Sequence, residues 1–182
     1  MSPDIDFLHD GIVLDACCAI NLCVCGQMEA ILRSIPVRVA IATFVAYEEV
    51  RRCDIRPFIE AGLLQVVEPE TEEEAINVIA FAADLGGDGE AYTGAIAIRW
   101  KWAIVSDERR VLNYFERQAP RLQRLTTPEL LKYWADHTDP DAATIRQTVS
   151  AVVNEGNYTI GERHTCRTWW MTCLSLTKEE TT

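Results

Sequence analysis

Four carboxylates stand where a fold places reactive groups. Asp15 closes Gly-Ile-Val-Leu-Asp, Glu49 lies in Val-Ala-Tyr-Glu-Glu-Val, Glu90 in Gly-Asp-Gly-Glu-Ala, and Asp107 closes Ala-Ile-Val-Ser-Asp. Each ends an apolar run that reads as a strand or opens a helix. Open α/β sheets bind ligands in the crevice beyond the carboxyl ends of their strands. Carboxylates gathered there repel one another unless a hard cation neutralises them. The pattern therefore predicts a divalent-metal site and hydrolytic chemistry. Each acid also has a plainer reading. Aspartate is a preferred helix N-cap, which suits Asp15, and Asp88 or Glu90 beside Gly89 suits the same role. Glu48 and Glu49 point about 100° apart on a helix. Glu49, four residues after Val45 and next to Val50, lies nearer the buried stripe, leaving Glu48 to solvent.

The elements that must position these groups alternate strand with helix, the signature of a parallel sheet covered on both faces. Strands are expected over 12–14, 37–42, 63–67 and 103–105, with an edge strand over 121–125. Helices are expected over 16–25 and 27–33, then from a Thr43 cap through Val45, Glu49 and Arg52, and in a turn opened by Pro57. Thr71-Glu72-Glu73-Glu74 fits a capping box. It starts a helix to about residue 85 with Ala75, Ile79 and Ala82 or Ala83 inward. A helix from Glu90 carries Ala91, Ala95, Ile98 and Trp102. Another, over 108–118, turns Val111, Leu112 and Phe115 to one face. Thr127 as cap and Pro128 as first helical residue open a helix to about 137. Ala143, Ile145, Val149 and Val152 recur at helical spacing, and a last turn or helix holds Trp169, Trp170, Met171 and Leu174. The division expected is 1–138 as the α/β domain and 139–182 as a helical extension packed on it.

With 182 residues the chain suits one domain with a real core. A net charge of −11 argues against nucleic acid as partner, since phosphate binding draws on a basic surface. Against that, arginines cluster: Arg51 with Arg52, Arg109 with Arg110, then Arg117, Arg121 and Arg124. The start carries acids instead of a basic stretch, so it reads as no signal peptide. The apolar run 12–25 is broken by Asp15 and Asn21 and is too short to span a bilayer. A cytoplasmic protein with no membrane contact is expected. Seven cysteines, an odd number, argue against a disulfide framework. Zinc at Cys23, Cys25, His164, Cys166 and Cys173 lacks ligand spacing, so packing as small buried hydrophobes is expected.

Several motifs together resemble the PIN-domain family of metal-dependent ribonucleases. They are Ile-Val-Leu-Asp-Ala-Cys-Cys-Ala-Ile, Tyr-Glu-Glu-Val, Gly-Glu-Ala-Tyr-Thr-Gly-Ala-Ile-Ala and Ile-Val-Ser-Asp-Glu-Arg-Arg, within residues 11–135. The likeness is to the prokaryotic branch with a Gly-Glu-Ala third motif, akin to VapC-type toxins of toxin–antitoxin pairs. It implies a PIN-like three-layer sandwich with about five parallel strands. It also implies an acidic quartet of Asp15, Glu49, Glu90 and Asp107 that serves as both metal-binding and catalytic set, an RNA substrate, an antitoxin partner and a homodimer. The family's serine or threonine two residues after the first acid is Cys17 here, and Ser106 is placed to take over its hydrogen bonding. Oxygen ligands favour Mg²⁺ or Mn²⁺ over zinc. Arg51, Arg109, Arg110 and Ser106 are the candidates for substrate contact. The departure at Cys17, together with the −11 charge, supports an alternative, a catalytically inactive PIN-like module that acts through protein contacts. A phosphatase with Asp15 as nucleophile is disfavoured, because Asp15-Ala-Cys lacks a second aspartate and no lysine closely follows Asp107.

Overall fold

All four residues of β1 (Gly11–Leu14) are buried. Successive strand residues face opposite sides, so such a strand needs cover on both faces. A computed structural model of the chain describes residues 6–175. The acidic start over 1–5 and the segment 176–182 lie outside the described residues. β1 is the centre of a five-stranded, all-parallel sheet with order β3-β2-β1-β4-β5. Its partners are β2 (Arg38–Ala42), β3 (Gln65–Val67), β4 (Ala103–Val105) and β5 (Arg124–Leu125). The expected α/β class is what the chain adopts, with strands shorter than expected at 37, 63–64 and 121–123.

The helices are α1 (Ala16–Val24), α2 (Met28–Ser34), α3 (Arg56–Glu60), α4 (Glu72–Leu85) and α5 (Asp88–Trp100). They continue with α6 (Arg109–Gln118), α7 (Thr127–Thr138), α8 (Ala142–Asn154) and α9 (Arg167–Ser175). The chain leaves β1 for β2 on one side and returns to β4 on the other. That reversal opens a crevice at the carboxyl ends of β1 and β4, the switch point where ligands of such sheets sit. Asp15 follows β1 and Ser106-Asp107 follows β4, and the Asp15 N–H donates to the Val105 carbonyl at 2.9 Å.

Two expectations are corrected here. The inward face of α4 is Glu74, Phe81 and Leu85, while Ala75 and Ala83 are exposed and Ile79 is 72% exposed. Phe81 sets this rotation, meeting Tyr114 and Phe115 of α6 edge-on at 5.8 and 5.3 Å. Glu74 can be buried because its carboxylate accepts from the Glu70 and Thr71 N–H groups and the Thr71 hydroxyl. The second correction is at 43–52. In place of a helix capped by Thr43 stands a single π-turn, Val45–Glu49, closed by Val50 N–H to the Val45 carbonyl at 3.0 Å. The Thr43 hydroxyl donates instead to the Val67 carbonyl of β3.

Within 139–175, Val149, Val152, Cys166, Trp170 and Cys173 belong to the same buried core as the sheet. Trp169 packs half-buried against it, while Met171 is 45% exposed. No single helix among the described residues is long and apolar enough to cross a membrane.

Candidate acidic site

Three helices point their N-termini at the crevice, and each receives one of the predicted carboxylates. Asp15 precedes α1, and its Oδ1 accepts from the Ala16 N–H at 2.7 Å. Glu49 accepts from the backbone N–H of Gly89, in the first turn of α5. Asp107 Oδ1 accepts from the N–H of Thr127, the first residue of α7, at 2.8 Å. Glu90 also lies in the first turn of α5. The first N–H groups of a helix lack internal partners and carry partial positive charge. The fold thus anchors the acids and offsets part of their repulsion.

Only part. Asp15 is 3% exposed. Burial raises its carboxyl from the ordinary 3.8 to about 6, against the hydrogen bonds of Ser106, Cys17 and Ala16, and the charge of Glu90 adds to the rise. Burial likewise raises Glu49 to about 7, reinforced by the charges of Asp15, Glu90 and Asp88. The three acids Asp15, Glu49 and Glu90 therefore feel one another. Asp107 joins them through Cys17, whose thiol donates to Asp15 Oδ2 at 3.3 Å while its sulfur accepts the Asp107 N–H at 3.3 Å.

The Cys17 thiol is pulled down by its contact with Cys18 but is raised overall by burial and by the charges of Asp15 and Asp107. It remains an S–H donor to Asp15, as a hydroxyl would be. Ser106 is fully buried and adds a second donor to Asp15 Oδ2 at 2.8 Å. It anchors Asp15, and its burial keeps it from the substrate contact expected of it.

Sequence reasoning missed the groups that hold Asp107. Asn21 Nδ2 donates to Asp107 Oδ2 at 2.8 Å, and the Thr127 hydroxyl donates to the same oxygen at 2.6 Å. The signal for Asn21 was present. It lies four residues after Cys17, hence on the same helix face, as a buried polar side chain in an apolar helix. Thr127 is free for this bond because the cap is Thr126, one residue earlier than expected. The Thr126 N–H and hydroxyl donate to Glu129 at 2.9 and 2.7 Å.

The predicted arginines divide. Arg51 is exposed and paired with Glu48 at 2.6 Å, which leaves Glu48 as the solvated neighbour of Glu49. Arg110 lies 3.7 Å from Glu90 and 3.9 Å from Glu108, and also donates to the Leu85 carbonyl. Arg109 has no ion-pair partner among the described residues. Among those residues, the group of three or more His, Cys, Asp or Glu whose ligand atoms all lie within 4.8 Å of one another is Cys17, Cys18 and Asp107; the four predicted acids are not gathered that closely. All seven cysteines are free, and the set Cys23, Cys25, His164, Cys166 and Cys173 forms no such group.

Glycine at 89 is required by the site. A methyl there would strike the Glu49 carboxylate, which lies directly over the backbone. Gly89→Ala is expected to keep the fold, since alanine favours a helix, but to displace Glu49. Mn²⁺ affinity measured by calorimetry should then fall about tenfold, the cost of disturbing a ligand's support. Unchanged affinity would remove Glu49 from the site.

No family model matches the chain, and no curated protein matches it.

Proposed function

We propose that the protein is a PIN-like, Mg²⁺- or Mn²⁺-dependent endoribonuclease, with Asp15, Glu49, Glu90 and Asp107 as its acidic set. The observation that carries this reading is the raised carboxyls of Asp15 and Glu49 at the switch point of the sheet. Helix N-termini already assist these groups, and they still lack compensating charge. The donor set fits a hard divalent ion. The four proposed acids offer carboxylate oxygens, and Asp15 Oδ1 accepts one protein hydrogen bond, leaving it a further lone pair. The thiols of Cys17 and Cys18 beside Asp107 would have to stay outside the shell of such an ion.

Asp15 and Asp107 are the proposed direct ligands, each fixed by neutral donors. Glu49 is half-buried and lines a cavity of about 530 Å³ together with Asp107 and Cys17. It is the acid best placed to orient an attacking water. Glu90, 3.7 Å from Arg110, is the fourth proposed member of the set. A bound Mg²⁺ or Mn²⁺ supplies Lewis-acid stabilisation of the phosphoryl oxygens and a lowered water pKa. The resemblance extends the proposal to the toxin of a toxin–antitoxin pair, with an antitoxin and a second copy as partners. Exposed Tyr47, Ile76 and Ile79 offer apolar surface for such contacts.

The test is cleavage of single-stranded RNA by the purified chain with Mn²⁺ and with EDTA. Cleavage in Mn²⁺ alone is expected, and no cleavage in either would defeat the proposal. Arg110 against Glu90, with a thiol at Cys17, favours the second reading of a silent PIN-like module. That module would bind Mn²⁺ feebly in a calorimetric titration, where the nuclease binds it measurably.

A further inference from the structure

The 530 Å³ cavity beside Glu49 meets a second, of about 840 Å³, and the two share Asp107 and Tyr158 as lining residues. One wall of both is the stretch 155–164, part of the extension, which no motif of the sequence assigns. The first cavity is bordered by Arg51 and Arg52, the second by Arg109, Arg163 and His164. Arg52, Arg109 and Arg163 are exposed and make no ion pair among the described residues. Arg33, Arg51, Arg56, Arg110 and Arg124 are paired, whereas Arg99, Arg117 and Arg121 are likewise exposed without an ion pair among the described residues. What singles out Arg52, Arg109 and Arg163 is their place around these two cavities. The carboxylates of Glu155 and Glu162 also line the cavities, but neither takes one of these arginines.

The wall is built to hold its place. Tyr158 meets Trp170 edge-on at 5.5 Å, and Trp170 is 1% exposed. The Cys166 N–H donates to His164 Nδ1 at 3.0 Å, so the neutral ring carries its proton on Nε2, which donates to Thr126 Oγ1 at 2.9 Å. Thr126 begins the helix whose next residue, Thr127, holds Asp107. The extension is therefore tied to the element that positions the acid.

We infer that the two cavities form one groove for a single RNA strand, crossing the acidic site, with the extension as its outer wall. Arg52 holds phosphate on one side of Asp107, Arg109 and Arg163 hold it on the other, and Tyr158 offers a ring to a base between them. Each cavity falls in the ~300–1,000 Å³ range of small-molecule sites, room for a nucleotide or two and not for a duplex. Single-strand sites combine a basic track with aromatic platforms. This inference rests on the nuclease reading for its choice of RNA.

The test is fluorescence anisotropy of the full chain with a fluorescein-labelled oligouridylate of about ten nucleotides, within the ~4–16 span of single-strand sites. Measurement at low salt in EDTA separates binding from cleavage. Arg52→Ala, Arg109→Ala and Arg163→Ala should each weaken binding about tenfold and lower the salt slope by about 0.7. Tyr158→Leu should weaken it by at least about fivefold, with Tyr158→Phe near the original. Arg117→Ala, on α6 and outside the groove, should change neither affinity nor slope. The inference is overturned if the unsubstituted chain does not bind, if the groove variants bind as it does, or if Arg117→Ala weakens binding equally. Equal affinity for a duplex or for polyglutamate overturns it too. Binding without Mn²⁺-dependent cleavage would sink the nuclease reading and leave the groove. Cleavage with unaffected arginine variants would do the reverse.

Discussion

Asp15→Asn is expected to lower Mn²⁺-dependent RNA cleavage by at least ~10³-fold, the size of several kcal/mol of lost charge stabilisation. The fold should survive. The side chain keeps its shape: the amide oxygen still accepts from the Ala16 N–H, 2.7 Å from Oδ1, and the amide NH2 that replaces Oδ2 donates to the Ser106 hydroxyl oxygen, 2.8 Å away, once that hydroxyl turns. What disappears is a buried carboxylate whose ionised form burial disfavours. In EDTA at pH 8 the variant should melt at the same temperature as the original chain or a few degrees above it.

That pairing of results separates two accounts of the same residue. If Asp15 only caps α1, asparagine serves about as well, and both stability and cleavage persist. If Asp15 is a metal ligand, stability persists and cleavage vanishes. Loss of both would mean that the substitution damaged the fold. Asp107→Asn would then be the second probe, its amide oxygen on the Thr127 N–H and its NH2 turned to the Asn21 amide and the Thr127 hydroxyl, both of which can reorient to accept. Cleavage undiminished by Asp15→Asn ends the nuclease assignment.

The sheet was legible because β1 and β4 are short apolar runs that end on an acid. Burial on both faces leaves little else for Ile12, Val13, Leu14 or Ile104 to do. Helix starts were legible to within a residue where caps mark them, as at Thr71. The rotation of α4 was not, because several apolar stripes were available and the contact of Phe81 with Tyr114 and Phe115 chose among them. Nor was the π-turn that carries Glu49. Such turns aim side chains at functional sites, but they arise from tertiary pairing such as the Thr43 bond to Val67. Of the groups around the four proposed acids, Ser106 was expected from the chain and bonds Asp15, whereas Asn21 and Thr127 were missed. Asn21, Thr127 and Tyr158 lie 86, 20 and 51 residues from Asp107, and only the closed fold brings them to it. Arg110 was expected as a substrate contact, and the pairing that packing gives it, 3.7 Å from Glu90, carried no signal in the chain.

Without metal, the chain should lose stability as pH rises from about 4 to about 8. Asp15 titrates at about 6 in the fold against 3.8 ordinarily, and Glu49 at about 7 against 4.5. Both folded values lie above the unfolded ones, so through this window the native state keeps protons that the unfolded chain has released. By linkage, stability is greatest below about pH 4 and is progressively lost up to about pH 7. Asp15 accounts for about 3 kcal/mol on this basis. Glu49 borders an open cavity, where solvent screening cuts its share to about 1 kcal/mol. For a chain of this length the sum corresponds to a melting point lower by about 8–16 °C at pH 8 than at pH 4.

Mn²⁺ should reverse this trend. The ion requires the ionised carboxylates, so protons compete with it at low pH. At a hundredfold excess over its Kd it restores about 2.7 kcal/mol at pH 8 and far less at pH 5. Thermal melts across that range, with Mn²⁺ and with EDTA, read the effect directly. Acids that were merely caps would give a melting point that Mn²⁺ does not move at either pH. A metal effect equal at pH 5 and pH 8 would place the ion away from Asp15 and Glu49.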